Sequence, residues 1–258
     1  MDGLEPLGVV IEGALPATAD RAVDVAAIAR RWPAAVGEAI AREAWATDIL
    51  SEHSFLWLVG SRLLFLMGAA MLVILGPFYL HQTFGLDEAA SGSTFLIVVA
   101  FVLVANLLAV VPAGRLSDRG RRKRSLYVSF GLGALGMAIV AVAPALPVAY
   151  VGVVLFGLAS GTFLAVDWAL MTEIIPKASS GRYMGISNVA TASASIFALA
   201  LGGTLMDAVD RQIGAGAGPR AAYGLAVVFF VLGGLLLRPV NEHHRSGSAS
   251  SPDGAAER

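Results

Sequence analysis

The chain has 258 residues, of which 57% are hydrophobic and only 14% charged, with a mean hydropathy of +0.73; ordinary soluble domains carry roughly 25% charged residues. These proportions exclude a soluble globular protein, and a formal net charge of −1 excludes the global basic excess of a nucleic-acid binder. Cysteine is absent, so neither a disulfide framework nor a thiolate metal site can form.

Residues 1–54 are polar to mildly amphipathic and broken by Pro6, Pro16 and Pro33, with a helix expected from Ala34 to Leu50. They read as a cytoplasmic lead-in, in which Trp45 and Ile49 either lie on the membrane surface or belong to a solvated linker. Six apolar runs follow, each near the ~20 residues that a helix needs to cross a ~30 Å hydrocarbon core. They are Phe55–Leu80, Thr94–Val111, Leu126–Ala143, Val148–Leu170, Ile186–Leu205 and Ala221–Leu237, within a transmembrane domain of residues 55–238. A run such as FLIVVAFVLVANLLAVV lacks the alternation of a membrane β-barrel strand, so the fold class is an all-α membrane protein. Residues 239–258, rich in Ser, Gly, Ala and Pro, are expected to form a disordered cytoplasmic tail.

Threading the six helices alternately through the bilayer places fifteen of the eighteen Lys and Arg residues on one side. Only Arg211 and Arg220 fall on the other, and Arg62 lies within the first run. The positive-inside rule therefore predicts that both termini are cytoplasmic.

The connection between the second and third runs reads PAGRLSDRGRRKR. It resembles the signature loop of the major facilitator superfamily, matching it at Gly114, Leu116, Asp118, Arg119, Arg122 and Lys123, with the second glycine one residue early at Gly120. The chemistry suits a membrane-side turn: glycine for the bend, an aspartate able to cap a helix N-terminus, and arginines for pairing and anionic headgroups. The alternative is a plain basic loop that only sets orientation. The stretch AVDWALMTEIIPKASSGRYMGISN, from Ala165 to Asn188, and the opening SFLWLVGSRLLFLMG of the first run are similar to the sucrose-transporter-like and glycoside–cation symporter branch of that superfamily. The resemblance covers about the last 190 residues in the order of helices seven to twelve. It implies one six-helix half of a major-facilitator fold, built from two inverted three-helix units.

Four of the six runs contain no charge; the first holds only Arg62 and the fourth only Asp167. At 1.5 Å per residue both lie about 10–12 Å deep from the same side. An intramembrane ion is costly unless paired or wetted, so pairing across the bundle as part of a cytoplasmic gate or ion-coupling site is one expectation. Separate snorkelling to the interface, helped by Trp57 and Trp168, is the other. Asn188, Thr191 and Ser195 recur at helical spacing in the fifth run and Asn106 sits in the second; they either line a watery solute path or serve helix packing.

There is no phosphate-binding glycine loop, His-x-x-x-His pair or nucleophile pattern, so no catalytic residue, metal site or cofactor is expected, and the chain does not read as an enzyme. The expected function is secondary active transport of a small solute, which the resemblance narrows to a sugar or glycoside moved by alternating access with a proton or cation, in the inner or plasma membrane. The alternative is a non-transporting membrane subunit or a truncated remnant of a twelve-helix transporter. The partners expected are membrane lipids, the solute, and a homodimer mate or second six-helix half; no nucleic acid is implied.

Overall fold

Apolar runs too long for a soluble protein become six α-helices in the computed structural model, which describes residues 53–118, 122–174 and 180–240. They are α1 (His53–Phe84), α2 (Glu88–Asp118), α3 (Arg122–Val142), α4 (Leu146–Ile174), α5 (Ser180–Ile213) and α6 (Ala217–Leu236). All six are long and apolar enough to cross a bilayer, and there is no strand among the described residues. Most helices overrun their apolar runs: α5 has 34 residues, about 51 Å at 1.5 Å each, well beyond the hydrocarbon core. Hydropathy stops at the first polar cluster, whereas the backbone ladder continues through it. Pro77 and Pro112 are likewise carried inside α1 and α2. The expected lead-in, with its helix at Ala34–Leu50 and with Trp45 and Ile49, lies outside the described residues, as does the tail from 241 onward.

Connections at 85–87, 143–145 and 214–216 are too short to do anything but turn the chain back on itself, so the helices they join run antiparallel. The packing then has a simple order. Helix α1 packs on α6 and α5, α4 packs on α3 and α2, and α3 packs on α6. Exchanging α1 with α4, α2 with α5 and α3 with α6 maps these contacts onto themselves, as expected of two inverted three-helix units.

The core obeys the same exchange. Phe65 of α1 stacks on Phe163 of α4 with ring centroids 3.8 Å apart and planes within 4°. Phe130 of α3 and Phe230 of α6 meet Phe65 edge-on at 5.3 and 5.0 Å. Glycines admit these rings: a Cβ on Gly68 would lie 2.7 Å from the Phe230 ring, and one on Gly133 would lie 2.9 Å from it. Where α3 crosses α4, a Cβ on Gly136 would lie 2.6 Å from the Gly152 carbonyl oxygen, so backbone rests on backbone.

The ends of α3 and α6 cap each other. Lys123, in the first turn of α3, donates from Nζ to the carbonyls of Arg238 (2.9 Å) and Val240 (2.7 Å), just past α6. Arg220, in the first turn of α6, donates to the carbonyls of Ala141 (3.3 Å) and Ala143 (2.8 Å), at the end of α3. Each cation thus meets the negative end of a helix dipole and its orphan carbonyls. This corrects the start of the expected disordered tail: Val240 is fully buried and held by Lys123.

Candidate functional site

Arg62 and Phe65 are three residues apart on α1, and Asp167 and Phe163 four apart on α4, so each charge shares a helix face with a stacked ring, one turn away. The stack between the two first helices of the inverted units therefore brings the charges together. Arg62 Nη1 donates to Asp167 Oδ2 in a buried salt bridge, with Asp167 only 2% exposed. Arg62 Nε donates to Thr191 Oγ1 on α5 at 3.2 Å. The guanidinium also lies 4.9 Å from the centre of the Trp168 ring, a cation–π contact. Arg62 is thus the junction of α1, α4 and α5.

The order in which these residues hold one another is set by α5. Thr191 Oγ1 donates back to the Ser187 carbonyl at 2.9 Å while accepting from Arg62, so both of its bonding roles are in use. Ser187, one helical turn earlier, is completely buried. Its Oγ and Asp167 Oδ1 have no hydrogen-bond partner among the described residues. Taking two charges out of a polar medium is repaid only when geometry and further hydrogen bonds are good; here Arg62 is well served and Asp167 is served on one oxygen only.

The other sequence candidates fall in three places. Asn106 Nδ2 donates to Ser160 Oγ of α4 at 3.2 Å, an interhelical bond between α2 and α4. Gly157 and Gly161 flank that serine, and a Cβ on Gly157 would lie 2.8 Å from the Val102 carbonyl oxygen. Asn188 and Ser195 are exposed on α5, away from the ion pair. Of the signature segment, Arg122 Nη1 donates to the Ala169 carbonyl of α4 at 3.1 Å, two residues beyond Asp167, and Lys123 holds the segment after α6. Both are anchored on neighbouring helices.

Gly114 and Leu116 require a correction. They lie within α2, which runs to Asp118, and a Cβ on Gly114 would meet nothing within 4 Å. No tight bend or close approach accounts for the glycine there, because the helix continues through it to Asp118. Arg119 and Gly120, and the side chain of Asp118, lie outside the described residues.

Sequence reasoning gave Trp168 no role beyond anchoring and passed over Ser160. The signal for Trp168 was its adjacency to the one carboxylate of its span. For Ser160 it was a hydroxyl set beside a small-residue step, where a neighbouring helix comes close enough to bond.

These features describe a helical bundle of inverted repeats with a buried ion pair between the leading helix of each repeat, a place where membrane proteins put ion and substrate machinery. No curated protein matches the sequence significantly. Over residues 28–257, however, the sequence matches the family model described as Major Facilitator Superfamily, and the chain belongs to that superfamily, an integral membrane protein of the transporter type.

Proposed function

We propose that the chain carries out secondary active transport of a small solute of the sugar or glycoside class, by alternating access coupled to a proton or cation. The observation that carries this reading is the buried Arg62–Asp167 pair joining α1 to α4, with Thr191 bringing in α5. Such a pair is expensive to bury and easy to disrupt when helices separate. It acts as a gate: closed when the pair is made, open when α4 and α5 part from α1. No nucleophile or metal chemistry enters, and no enzymatic role is proposed.

The excess of Lys and Arg on one side supports a cytoplasmic location for both termini, and the gate then lies toward the cytoplasm of an inner or plasma membrane. Six helices form one wall of a central cavity; a homodimer mate or a second six-helix half forms the other. The sugar class rests on the resemblance of the stretches around Arg62 and Asp167 to glycoside–cation symporters.

The test is uptake of labelled sucrose or maltose by proteoliposomes holding the purified full chain, with an imposed pH gradient. Accumulation that collapses when a protonophore is added is expected. Absence of uptake with the gradient present would contradict a self-sufficient transporter and favour a subunit that needs a separate partner.

A further inference from the structure

Most cations at the helix ends are tied to the bundle: Arg122 reaches the Ala169 carbonyl of α4, Lys123 the carbonyls of Arg238 and Val240, and Arg220 those of Ala141 and Ala143. Two arginines at one membrane face differ. Arg124, in the first turn of α3, and Arg238, two residues past α6, are both exposed, and neither guanidinium meets a carboxylate among the described residues.

The fold sets them at the same end of one seam. Lys123, next to Arg124 in the chain, donates from Nζ to the Arg238 carbonyl at 2.9 Å. Deeper in the membrane, Gly233 lies against the Phe130 ring and Gly133 against the Phe230 ring, so α3 and α6 are packed closely along the seam. The lips of the seam below the arginines are apolar. Tyr127, three residues past Arg124, is 37% exposed, and Val231 and Leu235 of α6 are exposed as well. Gly131, one turn beyond Tyr127, is also exposed; a Cβ there would meet nothing within 4 Å, so the lip of α3 is notched.

We propose that this end of the α3–α6 seam binds one anionic phospholipid, its phosphate held by Arg124 and Arg238 and an acyl chain lying along Tyr127, Gly131, Val231 and Leu235. The inference needs only that the helices span a membrane, so it stands or falls apart from the transport reading.

The occupant follows from taking the two parts of the site together. Guanidinium forks match phosphate oxygens, and cations at the ends of spanning helices stand at the level of the lipid headgroups, where an exposed tyrosine is also at home. A soluble anion would satisfy the arginines and leave the apolar lips unused. A zwitterionic phospholipid would cover the lips but bring its own cation to the arginines. A lipid with a net negative head meets both requirements. Arg115 provides the contrast: it is exposed at the same membrane face, but α2 packs on α4 rather than on α6, and no seam with a second exposed arginine adjoins it among the described residues.

The experiment is titration of the full chain, in nonionic detergent micelles, with a fluorescent phosphatidylglycerol. Unlabelled phosphatidylglycerol should displace the probe, whereas phosphatidylcholine, inorganic phosphate and polyglutamate at matched concentration should not. Arg124→Gln and Arg238→Gln should each weaken binding about fivefold, the worth of one arginine at an anionic lipid surface. Arg115→Gln removes an equal charge away from the seam and should leave binding unchanged. Equal losses in all three variants would reduce the effect to general basicity and overturn the inference, as would no loss in any of them. Displacement by phosphatidylcholine would overturn it too, and displacement by phosphate or polyglutamate would assign the arginines to a soluble anion instead.

Discussion

Two interfaces of the bundle are equivalent under the exchange of its halves, α2 on α4 and α5 on α1, yet they are built differently. Along α4, Gly157 and Gly161 lie against the backbone of α2 around Val102 and Asn106, and a polar bond there, Asn106 to Ser160, links two short side chains. Along α1, the glycine of α5 that comes close, Gly202, would meet only side-chain tips with a Cβ: Leu75 Cδ1 and Met71 Cε, both at 3.1 Å. The polar bond there, Arg62 to Thr191, comes from a long side chain that also holds Asp167. Backbone-on-backbone contact fixes the spacing of two helices, whereas flexible side chains and an exchangeable ion pair let it change. Of the two contacts, α5 on α1 is the one that rests on movable side chains.

The largest effect should come from leaving a charge alone at the flexible interface. Arg62→Ala strands the Asp167 carboxylate and should cost about 3–5 kcal/mol, read as reduced stability of the purified chain in detergent. Arg62→Met with Asp167→Leu removes both charges and should restore most of that stability while abolishing transport, separating the energetic role of the pair from its use as a gate. Next is the tight interface. Gly161→Val pushes a branched side chain into the α2 backbone and should cost about 1–3 kcal/mol, whereas Gly202→Ala, facing movable Leu75 and Met71, should stay within about 1 kcal/mol on the same assay. If Gly202→Ala is the more damaging of the two, the contrast between the interfaces is wrong. Asn106→Ala should cost about 0.6 kcal/mol, typical of an interhelical bond within a membrane. Gly114→Ala, in open space inside a helix, should stabilise by about 0.5–1 kcal/mol.

How much of this was legible in the sequence follows from the range of each interaction. Six spans are written in uninterrupted apolar runs, because the bilayer allows few other ways to spend so much apolar surface. Arg62 and Asp167 stood out because each is the only charge in its run, and their matching depth made contact geometrically open; which of two fates they take depends on α1 and α4 crossing at Phe65 and Phe163, a contact between residues far apart in the chain. The mutual capping by Lys123 and Arg220 had no local signal at all, since the partners of the two cations lie 77 to 117 residues away in the chain. Gly114 was misplaced for a different reason: glycine followed by a basic cluster is a turn pattern, but hydrogen bonding carried α2 through it.

The central claim is that the buried Arg62–Asp167 contact is a working gate, and exchanging its charges tests it most directly. Transport by Arg62→Asp, Asp167→Arg and the double variant should be measured in proteoliposomes against wild type. The account predicts that each single variant is inactive and that the double variant regains a measurable fraction of activity. A double variant no better than either single one would contradict it.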